Sequence, residues 1–508
     1  MKRKIPSKIN EQRIIERQGK LLQKYIKKVV YPFSPFYKNL MDAQGIKTKM
    51  IRSVQDLQHL PLSSKKDLLI TPENPLKTRE FIIQPDAEVL KRRPQTVIHA
   101  LFKGKKGAQK NLEDEYRPVF MTSTTGRSSE PIPFLYTQTD IQNLSVAGAN
   151  IIQLGGAKKE DKILNMFPYA PHLAYWLAHY ACMSMNLFCL STGGGKVMGT
   201  EGNIRMLTKI KPNIVVGMPT FVYHVLKQAV EEGSTCSSIK TLVLGGEKVV
   251  DGTRRKLSAL AEKLGSPHVK VIATYGFTEA KMAWAEAPAT PGEASSGYHL
   301  DPNLGIVEII DPKTEEVLGP ETPGEIVFTP LNARGSVVMR YRTGDYISEG
   351  LTYSKCPYSN SMVPRLVGKI SRTSEFKSMQ LKKLKGTIVN FNEMDHILDD
   401  LEGIGTWQVE LKKVNNDPLE LDELVLHLVK DGRTSRELIE HRIYESFQEI
   451  LEVSPNAIYF HEVGEMRKRQ KVGDVLKEEK FLDNRPTSVE NTLKSQSNNP
   501  KHQTEEIK

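Results

Sequence analysis

Between about residue 115 and residue 280, short apolar runs alternate with stretches of helical period. KILNMFPYA (162–170), NIVVGMPTF (213–221), SIKTLVLGGE (238–247) and HVKVIATYGF (268–277) each lead into a polar or Gly-bearing turn, which reads as strands. Such β-then-α alternation predicts a mostly parallel sheet flanked by helices. After about residue 300 the pattern shifts. LGIVEIIDPKTEEVLG (304–319) and GEIVFTPLN (324–332) predict antiparallel strands with tight turns, a small β-rich piece ending at YRTGDY (341–346). From roughly 375 to 485 come a helix (FNEMDHILDDL), a hairpin (WQVELKKVNNDPLELDELVLHLV) and a strongly periodic helix (TSRELIEHRIYESFQEIL), together a small α+β domain. Residues 1–70 read as helices separated by Pro-bearing turns. The tail from Pro486 is polar with few apolar residues and is expected to be disordered. The expected organisation is a basic N-terminal helix (1–30), a large domain (31–372), a small C-terminal domain (373–485) and the tail (486–508).

Composition narrows the class. A chain of 508 residues is expected to hold roughly two to four domains or subdomains. Its four cysteines, Cys182, Cys189, Cys236 and Cys356, form no CxxC pair. That argues against a disulfide framework or a zinc knuckle and suits a reducing, cytoplasmic setting. The N-terminus is basic without an apolar core, so no secretory signal is read there. Between Lys162 and Lys196 there is no charged residue, yet Pro168, Pro171, His172, His179 and Asn186 interrupt the stretch. A buried helix followed by a buried strand is expected, not a membrane span.

The net charge of +11 is concentrated in two blocks. Residues 1–28 hold ten Lys/Arg against two Glu, and residues 365–385 hold seven against one. Neither is interleaved with aromatics, so no nucleic-acid partner is expected. The first reads as a solvated amphipathic helix with Ile14, Ile15, Leu21, Leu22, Tyr25 and Ile26 on one face. The second could serve an anionic small molecule.

Chemistry concentrates at the ends of the expected strands, where ligands of parallel sheets gather. The stretch FMTSTTGRSSEPIPF (120–134) holds six Ser and Thr residues and one Gly. Hydroxyls and unshielded backbone N–H groups are what phosphate oxygens accept from. In YGFTE (275–279) Gly276 is read as the bend, Thr278 as a hydroxyl donor and Glu279 as a hard oxygen ligand. Asp345, in RTGD, offers two acceptors that suit a vicinal diol. GGGK (193–196) is followed by Val197, where a phosphate-binding loop needs a hydroxyl, so it is read as a turn.

The order and spacing of these motifs resemble the adenylate-forming superfamily of acyl-CoA synthetases, and within it the phenylacetate–CoA ligase-like branch. The likeness runs from about 31 to 485 through the loop at 122–131, Gly-Gly-Glu (245–247), YGFTE, YRTGDY, GKISRTSEF (368–376) and a lysine-bearing end. It implies an α/β fold: a large domain with mostly parallel sheets flanked by helices plus a β-rich subdomain, then a small mobile α+β domain. By the same resemblance Thr122, Thr124, Thr125 and Gly126 lie along the β/γ-phosphates of ATP. Gly246 and Glu247 line the adenine pocket, with Tyr275 and Gly276 beside it. Thr278 contacts the α-phosphate and Glu279 binds Mg²⁺. Asp345 holds the ribose, with Arg372 close by, and Glu375 is the hinge. Lys477 stands six residues before the Asp of Asp483-Asn484-Arg485, the branch's spacing for its catalytic lysine; Lys471, in RQKVGD, is the alternative.

The implied reaction is two-step: ATP·Mg²⁺ activates a carboxylic acid to an acyl-adenylate, which passes to a thiol. Coenzyme A is the first choice of acceptor and a carrier-protein phosphopantetheine the second. A nucleotide- or acyl-binding relative without turnover is the reading from another class. Three departures bear on this choice. Ser123 replaces the loop's first Gly and no loop lysine is present; Cys356-Pro-Tyr-Ser-Asn keeps one thiol of a CPxCG turn; Lys369 stands where relatives often place Arg. The acid is read as apolar or aryl from Phe167, Tyr169, Tyr175 and Trp176. His172 is read either as lining the acyl pocket or as an ordinary histidine.

Overall fold

The computed structural model describes residues 7–91, 93–124, 131–288, 295–372, 382–384, 387–389, 391–416, 421–432, 434–451, 453–472 and 479–485. The chain divides into two compact units, one of residues 1–249 with 254–373, the other of 250–253 with 374–508.

In the first unit a hairpin of β1 (Phe120–Ser123) and β2 (Pro133–Tyr136) precedes the main sheet. That sheet comprises β3 (Lys162–Asn165), β4 (Phe188–Ser191), β5 (Ile214–Gly217), β6 (Thr241–Leu244), β7 (Lys270–Phe277) and β8 (Met282–Ala285). Its order is β4-β3-β5-β6-β7-β8, parallel except for the last pair. The four runs read as strands are β3, β5, β6 and β7. Strands β5 and β6 are buried throughout, as expected of a parallel sheet covered on both faces. The strand expected to be buried after residue 184 is β4, and it is an edge: Phe188 is half exposed. Position in the sheet, which no local pattern encodes, makes that difference. The preceding helix, Leu173–Ser184, is buried on one face only.

Antiparallel strands follow. They are β9 (Tyr298–His299), β10 (Gly305–Ile310), β11 (Gly324–Pro330), β12 (Tyr341–Ile347), β13 (Gly350–Thr352), β14 (Arg365–Val367) and β15 (Ile370–Arg372). They form a sheet β10-β11-β12-β15 and a smaller one β13-β14-β9. The basic N-terminal helix, Ser7–Tyr25, packs here and is not a solvated arm. Leu22 and Tyr25 are buried, Tyr25 donates its hydroxyl to the Ala333 carbonyl at 2.9 Å, and Gln18 Nε2 donates to the Gly305 carbonyl at 2.9 Å.

The second unit includes β16 (Lys382–Leu384) and β17 (Thr387–Val389), then β18 (Ile404–Lys413), β19 (Asp422–Lys430), β20 (Ala457–Phe460) and β21 (Phe481–Asp483). The last four form a sheet of order β20-β19-β18-β21. Helices Phe391–Asp400 and Arg436–Leu451 cover it, and Trp407, Leu398, Ile443 and Phe447 fill the core between. Among the described residues no helix is long and apolar enough to cross a membrane.

Candidate active site

The site is built where β6 and β7 end. After β6 the chain turns through Gly245 and Gly246. A Cβ on Gly245 would lie 2.3 Å from Thr274 Oγ1, and Gly246 has φ +85°, so both positions demand glycine. Glu247, expected in an adenine pocket, spends Oε2 locally. It accepts from the Thr220 hydroxyl at 2.7 Å and the Thr220 amide at 3.2 Å. Thr220 lies in the first turn of helix Pro219–Glu231, where a carboxylate is electrostatically favoured.

Gly276 is not the bend that the motif suggested. It lies inside β7 opposite Ala283 of β8, and a Cβ there would come within 2.5 Å of the Ala283 Cβ. Its smallness permits the strand pair. The chain bends afterwards, at the short turn Thr278–Ala280 and at Lys281, which has φ +59°. Lys281 is anchored by a buried ion pair to Asp140 at 2.7 Å. Asp140 also accepts from the Thr137 amide at 2.9 Å and the Gly335 amide at 2.7 Å. Burial pulls the Lys281 ammonium below its ordinary range against the opposing pull of Asp140.

Strand β12 brings the third motif alongside. Tyr341 donates its hydroxyl to Glu279 Oε1 at 2.9 Å, and its ring stacks on Phe277 with centroids 6.4 Å apart. Burial and the neighbouring Glu279 hold the Tyr341 phenol well above its usual range, so it is a neutral donor. Tyr275 donates to Asp345 Oδ2 at 2.8 Å, and Arg372 Nε pairs with Asp345 Oδ1 at 3.0 Å. Asp345 is buried, whereas the Arg372 side chain is 53% exposed. Tyr275, Asp345 and Arg372 therefore form one bonded group and Tyr341 with Glu279 a second, both anchored on β12, with Thr278 in the same turn as Glu279.

The Ser/Thr loop is described only at its ends. Thr122 is fully buried and shares a 3.1 Å hydrogen bond with the Tyr136 hydroxyl. Thr124 closes the neck of the loop: its Oγ1 accepts from the Ile132 amide at 2.9 Å and its own amide donates to the Ile132 carbonyl at 3.1 Å. Thr125 and Gly126 lie outside the described residues. Next to this hairpin, His172 Nδ1 donates to the Ser123 carbonyl at 3.2 Å. Phe120, Tyr180, Trp176, Tyr175 and Tyr169 form a run of edge-on and tilted rings, the closest pair being Phe120 and Trp176 at 5.0 Å.

Of the basic 365–385 block, Lys369 is exposed, and the side chains of Lys377, Lys382, Lys383 and Lys385 lie outside the described residues. Arg365 is buried, bonded to the Ser296 carbonyl and to Ser354 Oγ, and Arg372 is engaged with Asp345. Glu375 and Lys477 lie outside the described residues. Lys471, in the second unit, has φ +54° and pairs with Glu479 at 3.0 Å.

Residues that sequence reasoning passed over are Tyr341, Lys281, Asp140 and Tyr136. Tyr341 opened a motif already quoted, and its phase with Asp345 along the strand was the available signal. The Lys281–Asp140 pair spans 141 residues and left none.

Residues 139–340 match the AMP-binding enzyme family model. A phenylacetate-coenzyme A ligase of Aromatoleum evansii is 25% identical over 68% of this chain and 67% of its own length. One of Pseudomonas putida is 26% identical over 45% and 50%, and one of Escherichia coli 24% over 63% and 64%. The chain thus spans half to two thirds of these relatives. Among solved structures, 2-hydroxyisobutyryl-CoA ligase in its postadenylation state superposes with a TM-score of 0.67 at 16% identity, covering 97% of this chain and 93% of that one. The fold is the one seen in that ligase, and residues 139–340 carry the AMP-binding enzyme match. Its similarity to curated proteins runs to phenylacetate-coenzyme A ligases.

Proposed function

We propose that the chain is an ATP-dependent acid–thiol ligase, joining a carboxylic acid to coenzyme A through an acyl-adenylate. The observation that carries this reading is the shared neighbourhood of Tyr275, Glu279, Tyr341, Asp345 and Arg372 beside the Gly245–Gly246 turn. A side chain would fill that turn, so it offers backbone to a flat ring, and the Asp345 carboxylate suits ribose hydroxyls. Thr278 and the loop residues Thr124, Thr125 and Gly126 are assigned to the phosphates, whereas Thr122, fully buried and bonded to Tyr136, supports the loop from beneath. Glu279 supplies a hard carboxylate oxygen of the kind Mg²⁺ takes, and the bound ion would neutralise phosphate charge.

In the first step a carboxylate oxygen bonds to the α-phosphorus of ATP and pyrophosphate leaves. Lys477 is assigned to offset the charge that develops on the α-phosphate. In the second step the thiol sulfur, having lost its proton, bonds to the acyl carbon and AMP leaves. The small domain turns about Glu375 between the steps. The aromatic run beside His172 supports an apolar or aryl acid. The four cysteines, free of disulfides, support a cytoplasmic setting.

The altered phosphate loop favours a second reading, a nucleotide- or acyl-binding protein that does not turn over; a carrier-protein thiol is the alternative acceptor. ATP–pyrophosphate exchange over a panel of carboxylic acids decides. Exchange with at least one acid, lost in Glu279→Ala, supports the ligase. Nucleotide binding without exchange supports the second reading, and product release to coenzyme A against a carrier protein identifies the acceptor.

A further inference from the structure

Residues 91–112 hold seven Lys/Arg and no Asp or Glu, a third basic block hidden by averaging over the remainder of the chain. Four of them, Lys103, Lys105, Lys106 and Lys110, fall on helix Pro94–Tyr116, which is broken at Gly104 (φ 72°, ψ 171°). Before the break, Val97, Ile98, Leu101 and Phe102 are 47, 51, 78 and 85% exposed. At about 100° per residue these four positions fall within an arc of roughly 140°, one continuous stripe. After the break Lys106 and Lys110, one turn apart, are exposed, as is Lys103 just before it. The helix is held to the body from its second half, where Ala108 and Tyr116 are buried.

Isolated exposed apolar residues are ordinary; a Leu and a Phe standing almost fully in water on one stripe are not. A protein partner would have to offer an apolar groove ringed by acidic groups. A bilayer with anionic headgroups offers both requirements over any area: hydrocarbon for the stripe and negative charge for the lysines.

We infer that this helix is a peripheral membrane contact, in which Val97, Ile98, Leu101 and Phe102 enter the interface of an anionic lipid surface while Lys103, Lys106 and Lys110 bind its headgroups. The contact is independent of the reaction proposed above.

The test is flotation of the full chain with phosphatidylcholine vesicles, with and without phosphatidylglycerol. The expected result is binding to the anionic vesicles that falls by about 10-fold or more when salt is raised to about 0.5 M. The paired substitution Leu101→Asp and Phe102→Asp lowers binding by about 10-fold or more. Lys106→Glu with Lys110→Glu lowers it and flattens its salt dependence. Leu101→Gln with Phe102→Gln serves as the milder pair, and unchanged circular dichroism confirms folding. Equal binding by the wild type and the apolar-stripe variants overturns the inference, as does absence of flotation. A shift from dimer to monomer in those variants without lipid also overturns it, since a second copy would then cover the stripe.

Discussion

The hydroxyl of Tyr275 donates to Oδ2 of Asp345 at 2.8 Å, tying together two motifs separated by 70 residues. Burial and the adjacent carboxylate push the Tyr275 phenol well above its ordinary range, so the bond is made by a neutral donor to a charged acceptor. Arg372 holds the other oxygen at 3.0 Å. Between them they fix the plane of the Asp345 carboxylate.

Tyr275→Phe removes one of these two restraints. A hydrogen bond to a charged group contributes about 1.5 to 3 kcal/mol, and with Arg372 retained the lower figure applies. The expected outcome is a rise of about 10-fold in the KM for ATP in pyrophosphate exchange, with kcat changed less. Asp345→Ala is expected to lose about 100-fold or more in kcat/KM, because it removes the group itself. An unaltered KM in Tyr275→Phe would mean that Asp345 is held elsewhere.

Tyr341 bears the same relation to Glu279, at 2.9 Å. Without that donor the carboxylate loses a restraint on its orientation. Tyr341→Phe should therefore raise the Mg²⁺ concentration giving half-maximal exchange by about 3- to 10-fold, whereas Glu279→Gln should abolish exchange at any Mg²⁺. Identical Mg²⁺ curves for wild type and Tyr341→Phe would separate Glu279 from the metal.

The parallel strands were readable because a strand buried on both faces is written as a short apolar run ending in a turn, as in Ile214–Gly217 and Thr241–Leu244. The long hairpin Ile404–Lys413 with Asp422–Lys430 was equally plain. Two features escaped because their cause lies across the fold. Gly276 looks like a bend in sequence, but only the approach of Ala283 explains it. The N-terminal helix looks like a charged arm until Gln18 and Tyr25 meet the carbonyls of Gly305 and Ala333. Within the site, motif order named Tyr275, Glu279, Asp345 and Arg372, but not Tyr341, the donor that orients Glu279. In sequence Tyr341 shows only as a Tyr two residues before a Thr.

Lys471 and Lys477 compete for the same role. In the second unit, Gln408 Nε2 donates to the carbonyls of Arg469 at 3.2 Å and Glu479 at 2.6 Å, and Lys471 pairs with Glu479 across the same neck. Lys471 is therefore a half-exposed staple, in a class of ion pair that contributes about 0.2 to 1 kcal/mol. Lys471→Ala is expected to change the exchange kcat by less than about 3-fold, and Lys477→Ala to lower it about 100- to 1,000-fold. The reverse ranking would make Lys471 the catalytic group.

His299 sets a pH dependence of stability away from the reaction. Its Nδ1 faces the carbonyls of Gly297 at 3.2 Å and Ala285 at 3.3 Å, which only accept, so Nδ1 carries the proton and Nε2 accepts from the Ser359 hydroxyl at 3.1 Å. Desolvation first, and then the nearby Arg365 charge, lower its pKa from 6.5 to about 4. Between those values the unfolded chain binds a proton that the folded one refuses, so stability is retained above 6.5 and falls as pH drops toward 4. A shift of one pKa unit corresponds to about 1.4 kcal/mol, so cooling nothing and only lowering the pH from about 7 to about 5 should cost up to about 2 kcal/mol. His299→Gln can still donate to a carbonyl but does not titrate. Urea unfolding at the two pH values should show a drop in the wild type that is smaller by about this amount in the variant. Equal drops in both proteins would remove His299 as the cause.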